Sequence, residues 1–202
     1  VSATNRGAKR KPGDFYETHA WCVERFTEAL RLPGGRWLEP AAGRGAIVRA
    51  VNRPDVVWDA VELSQENWQR IEGVTGVTVH GDFLQVAEQM KALVVEPYEV
   101  VMTNPPYSLA QEFIEACFPL ARHVVMLLRI NFLASEARAG FMRAFPPDIY
   151  VLPNRPDFTG GGGDSTEYAW FHWDMERPRS ESDGGRVFVL NTTPLRVRKP
   201  SP

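Results

Sequence analysis

The chain has 202 residues, 44% hydrophobic, 24% charged and 11% aromatic, enough to bury one core and too few for two full domains. This composition excludes collagen-like, disordered and disulfide-stapled chains, and no uncharged apolar run approaches the ~18 residues that cross a bilayer. A net charge of −2 with a pI near 6.1 argues against a broadly basic nucleic-acid coat.

The chain opens on a polar, basic stretch (Arg6, Lys9, Arg10 and Lys11) with no apolar run behind it, so no secretory leader is expected and a cytoplasmic location is. Residues 1–13 are expected to form a flexible tail and residues 14–175 the folded domain. Residues 176–202 are expected to add one more strand and a second tail, basic at Arg196, Arg198 and Lys199. Such tails are either simply solvated or hold phosphates.

Between the tails, short apolar runs alternate with segments of helical period. The apolar runs are Trp37–Leu38, Trp58–Leu63, Val77–Val79, Val100–Thr103, His123–Leu128 and Ile149–Leu152. The amphipathic stretches are His19–Leu30, Ala46–Val51, Glu66–Ile71, Val86–Leu93, Leu109–Leu120 and Ser135–Phe145. In Leu109–Leu120, Phe113, Ala116, Cys117 and Leu120 fall at helical spacing and predict one buried stripe. The alternation predicts an α/β fold, a doubly wound, mostly parallel sheet with helices on both faces. The last runs, Tyr168–Trp173 and Arg186–Leu190, have no helix between them and are expected to pair antiparallel at the sheet edge. Cys22 and Cys117 are far apart, and neither they nor the four histidines match a metal spacing.

Chemistry enters at the strand ends. Glu39-Pro40-Ala41-Ala42-Gly43-Arg44-Gly45 follows the first strand and opens a helix. Two glycines one residue apart make either a plain tight turn or a place where a ligand approaches the backbone closely. Val48 stands where a dinucleotide fingerprint has its third glycine, which counts against NAD. The second strand ends in Glu62-Leu63. The carboxylate of Glu62 can accept two hydrogen bonds from ribose hydroxyls, or it can cap the helix that Ser64 starts. After the third strand come Asp82 and Phe83, which can meet an adenine amino group and an adenine face, or serve as a helix cap and core packing. In order after three successive strands, these features together fit one adenosyl ligand.

Val100–Thr103 runs into Asn104-Pro105-Pro106-Tyr107. The two prolines end the strand, stiffen the backbone and offer no N–H of their own. The Asn104 amide oxygen and the Pro105 carbonyl are thereby presented as fixed acceptors. They suit an amine whose lone pair is delocalised into a ring: hydrogen bonds from its two N–H groups draw density to nitrogen and favour attack on a sulfonium methyl. No metal and no strong base are needed.

With this tetrad the sequence resembles the S-adenosylmethionine-dependent amino-methyltransferases, most closely the small phage-type DNA N6-adenine methyltransferases, from about Asp14 to Asp174. Asp14-Phe15-Tyr16-Glu17-Thr18 resembles the family's N-terminal cofactor motif, with His19 where a proline usually follows. Glu39 to Gly45 matches the first cofactor motif, Glu62-Leu63 the second, Asp82-Phe83 the third, and Asn104 to Tyr107 the catalytic tetrad. The motif order is that of the class without circular permutation. Leu128 to Leu133, Arg155 to Phe158 and Glu167 to Phe171 resemble later segments. The resemblance implies a Rossmann-like fold with a seven-stranded sheet. It implies that Phe15, Tyr16, Thr18, Glu39, Pro40, Ala41, Gly43, Gly45, Glu62, Leu63, Asp82, Phe83 and Asn104 meet the cofactor, which leaves as S-adenosylhomocysteine. Tyr107 and Phe158 would hold a flipped adenine between them, near Arg129, Asn131 and Arg155.

Neither Phe83–Glu99 nor Met175–Pro202 is expected to have room for a target-recognition domain, so base reading is left to loops, chiefly Pro153–Asp164 and the stretch after Asn131, and short or relaxed specificity is expected. Arg129, Arg143 and Arg155 are candidates for phosphate contacts. Gly160–Gly163 is either a hairpin linker or a lid. The same tetrad chemistry also serves guanine N2 in RNA and a glutamine amide in protein. A non-catalytic nucleic-acid-binding module and a Rossmann oxidoreductase are further readings; intact Asn104, Glu62 and Asp82 weigh against the first, and the tetrad and the absent glycine against the second.

Overall fold

The computed structural model describes residues 17–93, 96–158 and 166–198. Among the described residues eight strands are formed: β1 (Gly35–Glu39), β2 (Val56–Glu62), β3 (Val77–His80), β4 (Tyr98–Thr103), β5 (Ala121–Arg129), β6 (Asp148–Val151), β7 (Tyr168–Asp174) and β8 (Val187–Val189). The helices are α1 (Ala20–Ala29), α2 (Ala46–Ala50), α3 (Gln65–Ile71), α4 (Phe83–Leu93), α5 (Ala110–Cys117), α6 (Ala139–Ala144) and α7 (Leu195–Arg198). All eight strands join one sheet in the order β3-β2-β1-β4-β5-β7-β6-β8.

From β3 to β5 every pairing is parallel. The order reverses between β1 and β4, and such a switch opens a crevice at the C-terminal ends of the strands. Both faces of this half are covered, so strand residues of either parity are apolar. On one face Trp37, Val100, Met102, Val125 and Leu127 pack with Trp21, Cys22, Val23 and Phe26 of α1 and with Ile47 and Val48 of α2. On the other, Leu38, Val101, Val124 and Met126 pack with Ala87 of α4 and with Phe113, Ile114 and Cys117 of α5. The predicted stripe Phe113, Ala116, Cys117 and Leu120 is buried throughout.

Two features depart from expectation. Helix α4 starts at Phe83, three residues before its amphipathic run, because Asp82 Oδ1 accepts the Leu84 N–H at 3.0 Å and the Asp82 carbonyl accepts that of Val86. At the far end the sheet turns antiparallel, but not as a β7–β8 hairpin. Strand β7 inserts between β5 and β6, antiparallel to both, and β8 lies outside β6, parallel to it. Both edges of β7 are therefore taken, and the free edge of β6 accepts the last strand, giving eight strands where seven were expected. Asp148 secures that crossing: its carboxylate accepts from the Arg186 backbone at 2.9 Å and pairs with the Arg186 and Arg179 guanidinium groups. Among the described residues no helix is long and apolar enough to cross a membrane.

Candidate active site

The glycine turn after β1 is built by its two glycines. Gly43 and Gly45 have φ of 54° and 75°, the left-handed region that disfavours a Cβ. A Cβ at Gly45 would also lie 3.0 Å from Ile71 Cγ2. The turn is tied to β2 by Glu62, which is buried rather than on the surface. One of its carboxylate oxygens accepts the Gly43 N–H at 2.6 Å and the other the Ser64 N–H at 2.7 Å. Capping of α3 falls to Ser64, whose hydroxyl accepts from Asn67.

Glu39, the last residue of β1, is 2% exposed. Burial pushes its carboxyl well above the usual carboxylate range, and the neighbouring Glu62 pushes the same way against the Val48 N–H and Arg49. Its Oε2 has no hydrogen-bond partner among the described residues.

These groups line one cleft of about 390 Å³ at the C-terminal ends of β1 to β4. Thr18, Glu39, Pro40, Ala41, Gly43, Glu62, Leu63, Asp82, Phe83, Asn104 and Pro106 all border it. Phe83 lies on the wall, packed against Phe113 at 5.0 Å between ring centroids, so the cleft-lining and core readings hold together. Asp82 likewise caps α4 while bordering the cleft. Gly45 shapes the turn without bordering the cavity, and Pro105 is buried behind it. Phe15 and Tyr16 lie outside the described residues, as do Gly160–Gly163, Lys199 and the basic residues of the N-terminal tail.

At the end of β4 the Asn104 amide is oriented from the chain's N-terminal side, with Nδ2 donating to Thr18 Oγ1 at 3.1 Å. Tyr107 starts a single 3-10 turn after the prolines. Its ring lies under the Arg129 guanidinium at 4.8 Å and beside Tyr168 at 5.9 Å. Burial raises the Tyr107 hydroxyl well above its ordinary pKa, with Tyr168 adding to the shift and Arg129 opposing it. Tyr107, Arg129 and Asn131 share a smaller cavity of about 190 Å³.

Phe158 approaches from the other side. It meets Tyr168 edge-on at 5.0 Å and stacks on His19 at 5.7 Å. Tyr168 thus touches both aromatic residues expected to hold a base. Of the candidate phosphate ligands, Arg155 is ion-paired with Glu167 and Arg143 lies 3.6 Å from Glu181. Tyr168 and His19 are site neighbours that no motif spacing in the sequence reveals. The available signal was the histidine replacing a proline after Thr18: its Nε2 lies 3.0 Å from the Asp157 carbonyl, which places Phe158.

No family model matches the chain, and no curated protein matches it in sequence. Solved structures do match in fold. A structure described as the modification subunit of a type I restriction enzyme from Vibrio vulnificus aligns over 93% of this chain and 50% of its own, with a TM-score of 0.62 and 16% identity. This chain thus spans about half of that subunit's length. A predicted O-methyltransferase from Agrobacterium tumefaciens aligns over 85% of both chains, with a TM-score of 0.57 and 17% identity. A dimethyladenosine transferase from Plasmodium falciparum aligns over 84% of this chain and 65% of its own, with a TM-score of 0.57 and 14% identity. At such identities the fold is what is shared. The chain has the Rossmann-like α/β fold of the S-adenosylmethionine-dependent methyltransferases.

Proposed function

We propose that this chain is an S-adenosylmethionine-dependent methyltransferase acting on the exocyclic N6 amine of adenine in DNA. The observation that carries this reading is the convergence of Glu39, Glu62, Asp82 and Asn104 on one cleft at the ends of four adjacent parallel strands. Three carboxylates beside the apolar Ala41, Leu63 and Phe83 fit a ligand with a ribose, a flat base and a cationic end. Both Glu62 oxygens already accept a backbone N–H, yet each keeps a lone pair for a ribose hydroxyl. Glu39, whose Oε2 has no hydrogen-bond partner among the described residues, is a buried polar side chain on the same cleft. When bound, S-adenosylmethionine supplies an electrophilic methyl group and leaves as S-adenosylhomocysteine.

The chain's own task is to position and polarise the amine. Thr18 holds the Asn104 amide by its nitrogen, and Oδ1 is the atom proposed to meet the substrate amine. Oδ1 and the Pro105 carbonyl accept the two amine N–H groups, concentrating density on nitrogen as it becomes tetrahedral. Pro105 and Pro106 keep these acceptors from relaxing. Tyr107 and Phe158 hold the extruded base, with Arg129, Asn131 and Arg155 around it; entry of a base against Phe158 competes with its contact to His19.

The test is methylation of plasmid DNA, RNA and protein with methyl-labelled S-adenosylmethionine, followed by nucleoside and peptide analysis. N6-methyladenine in DNA is the expected product. N2-methylguanine in RNA or methylated glutamine in protein would move the tetrad chemistry to another substrate. No label in any of the three would leave a binding module.

A further inference from the structure

A second cluster of chemistry-bearing side chains lies at the opposite end of the sheet, where the parallel strands begin. His123 is the third residue of β5 and stands opposite Asp174 in the antiparallel register with β7. His172 lies two residues before Asp174 on that strand, so His172 and Asp174 project from the same face. The sheet thus brings together two histidines that are 49 positions apart.

His123 Nδ1 is 3.2 Å from His172 Nε2 and 3.8 Å from Asp174 Oδ1. A carboxylate oxygen of Glu176 completes the group: the ligand atoms of His123, Asp174 and Glu176 all lie within 4.8 Å of one another. Backbone N–H groups of Glu176 and Arg177 donate to Asp174 Oδ1, which fixes that carboxylate in place. His123, Asp174 and Glu176 together offer one nitrogen and two oxygens, and His172 stands beside them as the hydrogen-bond partner of His123.

We propose that His123, Asp174 and Glu176 form a site for a divalent transition metal of the zinc type, with His172 hydrogen-bonded to His123 beside it. In a tetrahedral zinc site with bonds of about 2.0–2.1 Å the ligand atoms stand about 3.3–3.4 Å apart, and the 3.8 Å between His123 Nδ1 and Asp174 Oδ1 is within a small side-chain adjustment of that spacing. Imidazole and carboxylate together favour zinc, cobalt or nickel over magnesium or calcium. Glu176 is paired with Arg122 at 3.0 Å, but Arg122 also lies 3.5 Å from Glu99, so the arginine keeps a carboxylate when Glu176 turns to the metal. The ion would clip the start of β5 to the end of β7 and the segment that follows. It takes no part in the chemistry proposed at the other end of the sheet.

The experiment uses the full chain, free of any affinity tag and stripped with chelator. Titration with Co²⁺ should produce the visible absorption of a tetrahedral centre, saturating at one ion per chain and abolished by Zn²⁺. Calorimetry with Zn²⁺ should show a single site that weakens about tenfold or more in His123→Gln and in Asp174→Asn, while His80→Gln binds as the wild type does. Wild-type protein that gives no saturable cobalt spectrum overturns the proposal without any variant having to fold, and leaves the two histidines as a plain hydrogen-bonded pair. Single-site zinc binding that survives both His123→Gln and Asp174→Asn overturns it as well.

Discussion

Single side chains carry the proposed chemistry, and two of them make separable predictions. Asn104 borders the cleft but is held by Thr18, so Asn104→Ala removes an acceptor for the amine without emptying the cofactor region. Transfer should fall by several orders of magnitude while S-adenosylmethionine affinity, measured by calorimetry, stays near that of the wild type. A variant that still turns over would remove Asn104 from the reaction. Glu62 has two duties, since its carboxylate closes the glycine turn and is proposed to meet the ribose. Glu62→Ala should weaken cofactor binding by ~1–3 kcal/mol and lower the melting temperature as well, because two backbone donors lose their acceptor. Unchanged affinity would confine Glu62 to the turn.

Among the elements, the last strand is the most exposed to a single change. The chain reaches β8 by passing so close to Pro147 that a Cβ at Gly185 would stand 1.8 Å from its carbonyl oxygen. Gly185→Ala should therefore dislodge β8 and cost ~1–3 kcal/mol in denaturant unfolding, with the rest of the sheet retained. Full stability in that variant would mean that the crossing is looser than this. Asp148 gives the same junction a pH dependence. Burial by itself would raise its carboxyl, but Arg186 and Arg179 hold it below the ordinary value. A depressed folded-state pKa adds stability above the unfolded value of about 4, and that stability is lost as pH falls below it. Asp148→Asn should flatten the acid limb of the stability curve, and an unchanged limb would show that other carboxylates set it.

For the molecule as a whole, the balance of charge bears on how DNA would be held. The net charge is −2, so attraction to phosphates must come from local arginines such as Arg129, Arg143 and Arg155 and from the tails. Arg143 and Arg155 already face Glu181 and Glu167, and DNA must compete with those carboxylates. Affinity should accordingly drop steeply between low and physiological salt. A mismatched or unpaired adenine should bind more tightly than a paired one, because less stacking and pairing is lost when it swings out. Sequencing of methylated sites should give a motif of few bases, and a strictly read site of five or six would show that the loops read far more than is proposed.

The elements and the strand-end residues were legible in the sequence because each rests on local rules. Apolar runs of strand length, helical spacing in Leu109–Leu120, and paired glycines ahead of a helix all act within about a dozen residues. The tetrad was equally legible, since two prolines after a buried strand restrict the backbone whatever surrounds them. Tertiary structure decided what depends on which strands become neighbours. Insertion of β7 between β5 and β6 sent β8 to the outer edge, set Tyr168 between Tyr107 and Phe158, and brought His172 to His123. Packing around the glycine turn put Glu39 and Glu62 under cover, where burial rather than residue type sets the Glu39 proton affinity. Pairing of strands far apart in the chain is chosen by the packing of the whole core, and no local pattern records it.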